Sequence, residues 1–195
     1  MNWFVAIATF YTLFIISGII SSFASFFKPI QSEFGMTSIL LGSVFVASLF
    51  VIILLFAVIR RLEFKFGVRL AVTVGVLLSG LGLMLMSQTA SFVQLLVVWG
   101  VVVGLGTGSG MVSVISIFRR WLVDTRWLRI AIIGVGIGTG IIIIPLVNSQ
   151  LIAVYGWRTS YIITGVITMV SLPPMVIVLM VAQFLKRKQA TVGSE

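Results

Sequence analysis

Apolar and polar positions alternate along this chain in long blocks, with six apolar runs separated by short polar connections. Each run has about the 20 residues that a helix needs to cross a hydrocarbon core of about 30 Å. Because backbone polar groups find no water in that core, a helix is the usual spanning structure. The pattern therefore predicts an all-α membrane protein with six transmembrane helices. The runs cover 3–27, 38–59, 70–87, 92–118, 130–153 and 159–182.

The composition strengthens this interpretation. Hydrophobic residues make up 60% of the chain and charged residues only 9%, whereas soluble domains carry about 25% charged residues. The chain has no cysteine and no histidine, which excludes a disulfide framework, histidine-based catalytic triads and most zinc sites. We therefore expect neither enzyme activity nor a cofactor or metal ion.

Most of the basic residues are expected on one side of the membrane. If the chain crosses six times, eleven of the thirteen lie in connections 60–69 and 119–129 or in the tail 183–195, and only Lys28 and Arg158 lie opposite. This positive-inside bias predicts a multi-pass protein of the cell (inner) membrane with both termini in the cytoplasm. The net charge of +9 is typical of contact with anionic lipid headgroups, and we expect no nucleic-acid partner. The eleven are Arg60, Arg61, Lys65, Arg69, Arg119, Arg120, Arg126, Arg129, Lys186, Arg187 and Lys188.

Two stretches, GLGTGSG at 104–110 and GVGIGTG at 134–140, carry glycine at every second position. A dinucleotide-binding fingerprint needs G-x-G-x-x-G between a strand and a helix. In the first stretch, Ser109 and Met111 stand where such a loop needs glycine, and both stretches lie inside predicted spans. The nucleotide-binding interpretation is therefore excluded.

On a helix, alternate glycines form two small-xxx-small pairs on roughly opposite faces, and such faces let neighbouring helices approach closely. The fourth and fifth helices are therefore predicted to be central and packed on both sides, either in static contact or as surfaces that slide during gating. Pro145 is predicted to kink the fifth helix. The glycine pairs are Gly104/Gly108, Gly106/Gly110, Gly134/Gly138 and Gly136/Gly140.

A short motif, aromatic-Gly-x-Arg, occurs twice just before a predicted span, at 66–69 and at 155–158. With three helices per unit, two copies must enter the membrane in opposite orientations, as in the three-plus-three repeats of some transporters. We expect the arginines of the motif, Arg69 and Arg158, to anchor helix ends rather than to contact substrate. The predicted boundaries are about 1–90 and 91–182 for two inverted three-helix repeats, 1–182 for the six-helix bundle, and 183–195 for a cytoplasmic basic tail or the start of a linker.

Several motifs along the chain are similar to those of one transporter family. They are FFKPIQSEFG at 26–35, Arg120-Trp121, Gly136, Gly140, Pro145 and Gly156-Trp157-Arg158. On these residues, the chain resembles the N-terminal six-helix half of a major facilitator superfamily transporter, in the branch of the oxalate/formate antiporters and monocarboxylate transporters. Such a transporter has twelve helices, so the resemblance implies half of a major-facilitator fold.

The loop between the second and third helices departs in part from the pattern of that superfamily. Lys65, Gly67 and Arg69 fit the cytoplasmic loop motif, whereas Arg60 stands where glycine is usual and Phe64 where aspartate is usual. In the family, that aspartate supports contacts that latch the two halves of the transporter, and this chain lacks it.

The resemblance implies transport of a small organic anion, of the monocarboxylate or dicarboxylate class, by alternating access. Sites of such carriers lie between two six-helix bundles, so the chain would act as one half of a carrier. Its expected partners are the lipid bilayer, the anion and a second six-helix half, either a second copy or a separate C-terminal half. An alternative is a non-transporting six-helix membrane partner or assembly fragment. An intramembrane serine protease is excluded because no histidine is present to activate a serine.

Any substrate lining from this half must come from uncharged polar groups. No ionisable acid or base lies within the apolar runs, although such residues usually mark proton or ion pathways in membranes. Serine in a spanning helix more often bonds its own backbone or packs as a small residue, and that alternative stays open here. The candidate lining residues are Ser21, Ser22, Ser25, Ser109, Ser113 and Asn148.

Overall fold

A computed structural model describes residues 3–121 and 126–171, and within these ranges the chain contains helices and short turns but no strand. This confirms the prediction of an all-α protein. In chain order the elements are α1 (Trp3–Phe34), α2 (Ser38–Phe66), α3 (Val68–Met86), α4 (Phe92–Leu95), a π-helical segment (Leu96–Val103), α5 (Gly104–Trp121) and α6 (Arg126–Val170). The predicted tail 183–195 lies outside the described residues.

Three of the described helical stretches are long and apolar enough to cross a membrane. They are Thr9–Phe34, Phe92–Val112 and Ile130–Val170, while Ser38–Leu54 and Leu70–Met86 are shorter apolar helices. The last stretch contains 41 residues, about twice the length that one crossing requires. Six crossings therefore stay a prediction.

Two helices extend well beyond the apolar runs that predicted them. α1 continues through Pro29 to Phe34 and ends at Gly35, which has a positive φ of 61°. α2 continues to Phe66, so most of the predicted connection 60–69 is helical. Arginine, lysine and glutamate are good helix formers in water, and a helix can therefore run on after it leaves the apolar layer.

α4, the π-helical segment and α5 form one uninterrupted rod. The rod begins at Ser91, whose side chain accepts a hydrogen bond from the Gln94 backbone N–H at 3.3 Å. The Gln94 side chain in turn accepts one from the Ala90 backbone N–H at 2.7 Å, a reciprocal arrangement close to a capping box. The buried residues of the π-helical segment include Trp99 and Val103.

α6 consists of two helices that meet at Gly156, where φ is 77° and ψ is 165°. The helix continues through Pro145, so the described interruption lies eleven residues later, in the second aromatic-Gly-x-Arg motif. Below, the parts before and after Gly156 are called α6a (126–155) and α6b (157–170). Gly67, in the first motif, has nearly the same conformation, with φ 88° and ψ 157°.

The helices pack in a bundle in which α1 lies against α6, α3 lies against α5 and α6, and α2 lies against α5 and the π-helical segment. An aromatic cluster joins these elements. Phe26 of α1 stacks on Tyr161 of α6b with ring centroids 3.7 Å apart, and Tyr161 meets Trp99 edge-on at 6.2 Å. Phe23 lies 4.7 Å from Trp99. The core thus ties the C-terminal end of α1 to α6b.

The outer surface of the bundle carries many exposed large apolar side chains. Ile39 and Ile53 of α2 are 87% and 74% exposed, and Val154 of α6a is 71% exposed. A surface of this kind is unfavourable in water and favourable in a bilayer. It agrees with a protein that is embedded in a membrane.

Candidate functional site

An open cleft of about 300 Å³ lies between α1, α2, α5 and α6a. Met111 and Ile141 at its edge are 38% and 48% exposed, so the cleft opens at the surface of the bundle. Most of the residues that line it are apolar. The lining consists of Leu13, Ile16, Ser17, Ile20, Ser21, Phe45, Met111, Ile137 and Ile141.

Two serines of α1 supply the polar groups of this cleft. Ser17 Oγ donates to the carbonyl of Leu13 at 2.6 Å and lies 3.3 Å from the carbonyl of Ile137 on α6a. Ser21 Oγ donates to the carbonyl of Gly18 at 3.1 Å. Both hydroxyls therefore bond to their own helix, and each oxygen keeps lone pairs that can accept a hydrogen bond.

Three other candidate serines lie away from the cleft. Ser22 is fully buried and donates to the carbonyl of Ile19 at 2.7 Å. Ser25 Oγ donates to the carbonyl of Pro145 at 3.0 Å and so links α1 to α6a. Ser109 is 8% exposed, and a methyl group added at Gly75 of α3 would lie 3.1 Å from it. The side chain of Ser113 lies outside the described part.

Asn148 lines a second cavity, of about 180 Å³, between α1, α6a and α6b. Its Oδ1 lies 2.6 Å from Thr164 Oγ1, which also lies 2.8 Å from the carbonyl of Ser160. A hydroxyl has one proton and cannot donate to both. The buried Nδ2 of Asn148 has no protein partner among the described residues. Asn148 and Ser21 therefore belong to different cavities.

Each glycine of the stretch 104–110 lies against another helix. A methyl group added at Gly104 would lie 3.3 Å from the carbonyl oxygen of Ser48, and one at Gly108 would lie 3.2 Å from Ile52, both on α2. A methyl group at Gly106 would meet the backbone nitrogen of Ser79 on α3 at 2.5 Å. These four glycines thus face three different helices, and the fourth contact is between Gly110 and Ile16 of α1.

Among the described residues, the stretch 134–140 is packed on one side only. A methyl group at Gly136 would lie 3.2 Å from the carbonyl oxygen of Phe10, and one at Gly140 would collide with the carbonyl oxygen of Phe14. Both contacts are with α1. Gly134 and Gly138 have no heavy atom of the described chain within 4 Å of the added methyl position. Their face of α6a is therefore left open by the described part of the chain.

Arg158 connects the ends of three helices. Its Nη1 donates to the carbonyl of Ser87 at the end of α3 at 2.7 Å, and its Nη2 forms an ion pair with Glu33 of α1 at 2.8 Å. The indole N–H of Trp157 donates to the other Glu33 oxygen, and the guanidinium lies 4.5 Å from the Trp157 ring. This geometry agrees with the expectation that Arg158 anchors helix ends.

Sequence reasoning missed the role of Glu33, although a signal was present. Glu33 is one of only four acidic residues, so a basic partner nearby in space was a reasonable expectation. In the other copy of the motif, Lys65 lies exposed in the last turn of α2 and Gly67 precedes α3. The side chain of Arg69 lies outside the described part.

Comparison with known proteins places this geometry in context. The family model described as Major Facilitator Superfamily matches residues 5–194. Monocarboxylate transporter 6 of Mus musculus is 30% identical over 100 residues, which are 51% of this chain and 21% of that protein. Its Homo sapiens counterpart is 31% identical over 101 residues, 52% of this chain and 20% of that protein. Monocarboxylate transporter 14 of Homo sapiens is 28% identical over 103 residues, 53% of this chain and 20% of that protein. The match spans about a fifth of the length of these relatives.

Proposed function

We propose a transport function for this chain, which belongs to the major facilitator superfamily. It is a multi-pass membrane protein, since its long apolar helices and its family both require a lipid bilayer. Our proposal is that it forms one half of an alternating-access carrier for a small organic anion of the monocarboxylate or dicarboxylate class. The similarity to monocarboxylate transporters 6 and 14 supports the class of substrate.

The observation that carries this proposal is the open cleft between α1, α2, α5 and α6a. Carriers of this family bind substrate between two bundles near the middle of the membrane. The cleft has walls from one bundle and an opening at the surface, which is the form expected for half of such a site. A second six-helix bundle would complete the enclosure.

The open face of α6a is the proposed contact for that second bundle. Gly134 and Gly138 form a small-xxx-small pair that no described helix covers, and such pairs allow close helix contact in lipid. Ile142, four residues after Gly138, is 62% exposed and extends the same face. The second bundle is either another copy of this chain or a separate C-terminal half.

We further propose that the chain crosses the inner membrane six times, as two inverted three-helix repeats, and that both of its termini lie in the cytoplasm. The matching backbone of Gly67 and Gly156 supports the repeat, because each stands at the same place in an aromatic-Gly-x-Arg motif. Six crossings also account for the 45 residues of α6, about twice what one crossing requires, with the break at Gly156 between the fifth and sixth crossings.

Two measurements test the transport proposal. The first is the native mass of the purified chain in mild detergent, alone and co-expressed with any separate second half. The second is counterflow of labelled monocarboxylates of three to eight carbons, and of labelled oxalate, in liposomes that contain the resulting assembly. A bulky Ser21→Phe variant blocks the cleft, and Ser149→Phe is its matched control because Ser149 is exposed and outside the cleft. We expect at least tenfold slower counterflow for the first variant and unchanged counterflow for the second. Absence of counterflow with every acid and every assembly would favour a non-transporting membrane partner.

A further inference from the structure

The chemistry of the cleft wall determines which part of a substrate can bind against it. Seven of the nine lining residues are apolar, and the other two, Ser17 and Ser21, donate their hydroxyl protons to carbonyls of their own helix. The backbone N–H groups in the middle of these helices are bonded within the helix. Along the described lining, the wall therefore presents hydrocarbon and a few hydroxyl oxygens.

Such a wall does not suit a carboxylate. Moving an ionised carboxylate from water onto hydrocarbon is strongly unfavourable unless a cation or several donors face it. None of the lining residues is charged. The carboxylate of any bound acid must therefore point away from this wall, and the cleft must hold the rest of the molecule.

The volume of the cleft sets the size of that remainder. An apolar cavity of about 150 Å³ is enough for one benzene molecule, and this cleft has about 300 Å³. Formate and oxalate have no hydrocarbon part to place there. A chain of several carbon atoms or a ring would fill it.

We propose that this cleft binds the apolar part of a monocarboxylic acid with about six or more carbon atoms, so that the chain selects such acids over formate, oxalate and lactate. The inference rests on the proposed transport function and narrows its substrate class. Each methylene group that leaves water for an apolar site improves binding about fourfold. Affinity should therefore rise with chain length until the cleft is full.

Ser21 and Met111 are the residues through which this selection can be changed. Ser21 is half-buried and donates its hydrogen bond to the carbonyl of Gly18 in its own helix, so its replacement keeps the described bonds between helices. Ser21→Leu adds a branched side chain to the wall and shortens the space. Met111 is 38% exposed at the mouth of the cleft, and Met111→Ala enlarges the space without disturbing the aromatic cluster.

The test measures how strongly unlabelled acids inhibit counterflow of a labelled six-carbon 2-oxo acid. The competitors are straight-chain 2-oxo acids of three to eight carbons, together with formate and oxalate. The full chain is reconstituted in liposomes in the assembly that the native mass identifies, and protein-free liposomes give the background. For the wild type we expect inhibition to strengthen about fourfold per methylene up to six carbons or more. Ser21→Leu should move the optimum at least two carbons shorter, and Met111→Ala should move it longer. Val147→Leu is the control, because Val147 lines the other cavity, and it should leave the profile unchanged.

The outcomes separate the two levels of the proposal. The substrate inference is wrong, while the transport function stands, if formate or oxalate competes better than the six-carbon acid and if neither cleft variant changes how inhibition depends on chain length. If no acid of any length competes or is transported, the transport function itself is wrong and the inference falls with it. Should Ser21→Leu fail to fold, the opposite shift expected for Met111→Ala still decides the question.

Discussion

The two glycine stretches have the same alternating pattern and different surroundings. In 104–110 the four glycines lie against α1, α2 and α3, whereas in 134–140 two glycines lie against α1 and two have no described atom within 4 Å of an added methyl group. The pattern therefore predicts two smooth faces on a helix, and it does not predict which helices cover them. α5 is surrounded within the chain, while the residues that the structure describes leave one smooth face of α6a uncovered.

This difference separates contacts that hold the chain together from contacts available to a partner. A glycine against the backbone of another helix cannot gain a methyl group without moving that helix. A glycine in open space can gain one freely, and only a further bundle would be sensitive to it. Substitutions at the two kinds of glycine should therefore have opposite effects on folding and on assembly.

The largest effect on stability is expected at Gly140. An alanine there would collide with the carbonyl oxygen of Phe14 and with Ser17 Oγ, and a backbone carbonyl cannot turn aside as a flexible side chain can. We expect Gly140→Ala to lower the free energy of unfolding by about 2–3 kcal/mol or more. The measurement is a denaturation curve in mild detergent followed by tryptophan fluorescence.

Gly138→Ala is the matched control for this prediction, two residues away on the same helix. Its added methyl group meets no described atom within 4 Å, and alanine is the better helix former, so the free energy of unfolding should stay the same or rise by up to about 1 kcal/mol. Equal losses for the two variants would contradict the contrast between the two faces of α6a.

A smaller loss is expected in the first stretch, at Gly106. A methyl group there would meet the backbone nitrogen of Ser79 at 2.5 Å and the carbonyl oxygen of Gly75 at 2.7 Å. We expect Gly106→Ala to cost about 1–2 kcal/mol. Gly108→Ala should cost less than about 1 kcal/mol, because its nearest neighbour is the side chain of Ile52 at 3.2 Å. The measurement compares the losses in unfolding free energy of the two variants, and a larger loss for Gly108→Ala would contradict the argument.

The ion pair of Glu33 with Arg158 should contribute less than either backbone contact. Its side chains are 44% and 41% exposed, and exposed pairs usually contribute less than 1 kcal/mol. Glu33→Gln keeps an oxygen for the indole of Trp157 and removes the charge. We expect a loss of about 0.5 kcal/mol that shrinks further in high salt. A loss as large as that of Gly140→Ala would show that α1 and α6 are held mainly at this end.

The smallest effect on folding, and a clear effect on assembly, is expected for Gly138→Leu. No described atom lies within 4 Å of the first side-chain carbon at this position, so the denaturation curve should change little. It would separate a second bundle from the open face, and the native mass should fall from an assembly to a single chain. An unchanged assembly would place the second bundle on another face.

The helices could be predicted from the sequence better than their ends could. The six apolar runs locate the helical segments, but α1 and α2 continue into charged turns that hydropathy does not mark as helix. The π-helical segment, LVVWGVVV, is apolar throughout, and so it has no periodicity that could distinguish π from α geometry.

The cleft could be predicted less well, because its lining depends on helix rotation. Ser21 and Ser22 are neighbours in sequence, and one residue step turns a helix by about 100°. That step places Ser21 in the cleft and Ser22 in the core. The cavity of Asn148 also needs α6b to fold back at Gly156, and no local pattern states where α6b then lies.

The backbone conformation at Gly156 restricts the chirality of the residue at that position. Its φ of 77° and ψ of 165° lie in a region that is almost closed to L-amino acids, while an added L-type Cβ would have no described atom within 4 Å. Size therefore does not exclude a side chain there. L-alanine should cost about 1–3 kcal/mol, whereas D-alanine, whose favoured backbone angles are the mirror image of those of L-alanine, should adopt this φ and ψ without backbone strain. D-alanine can be placed at position 156 by chemical ligation, although ribosomal synthesis does not incorporate it. Its side chain would restrict the backbone and so stiffen the turn between α6a and α6b.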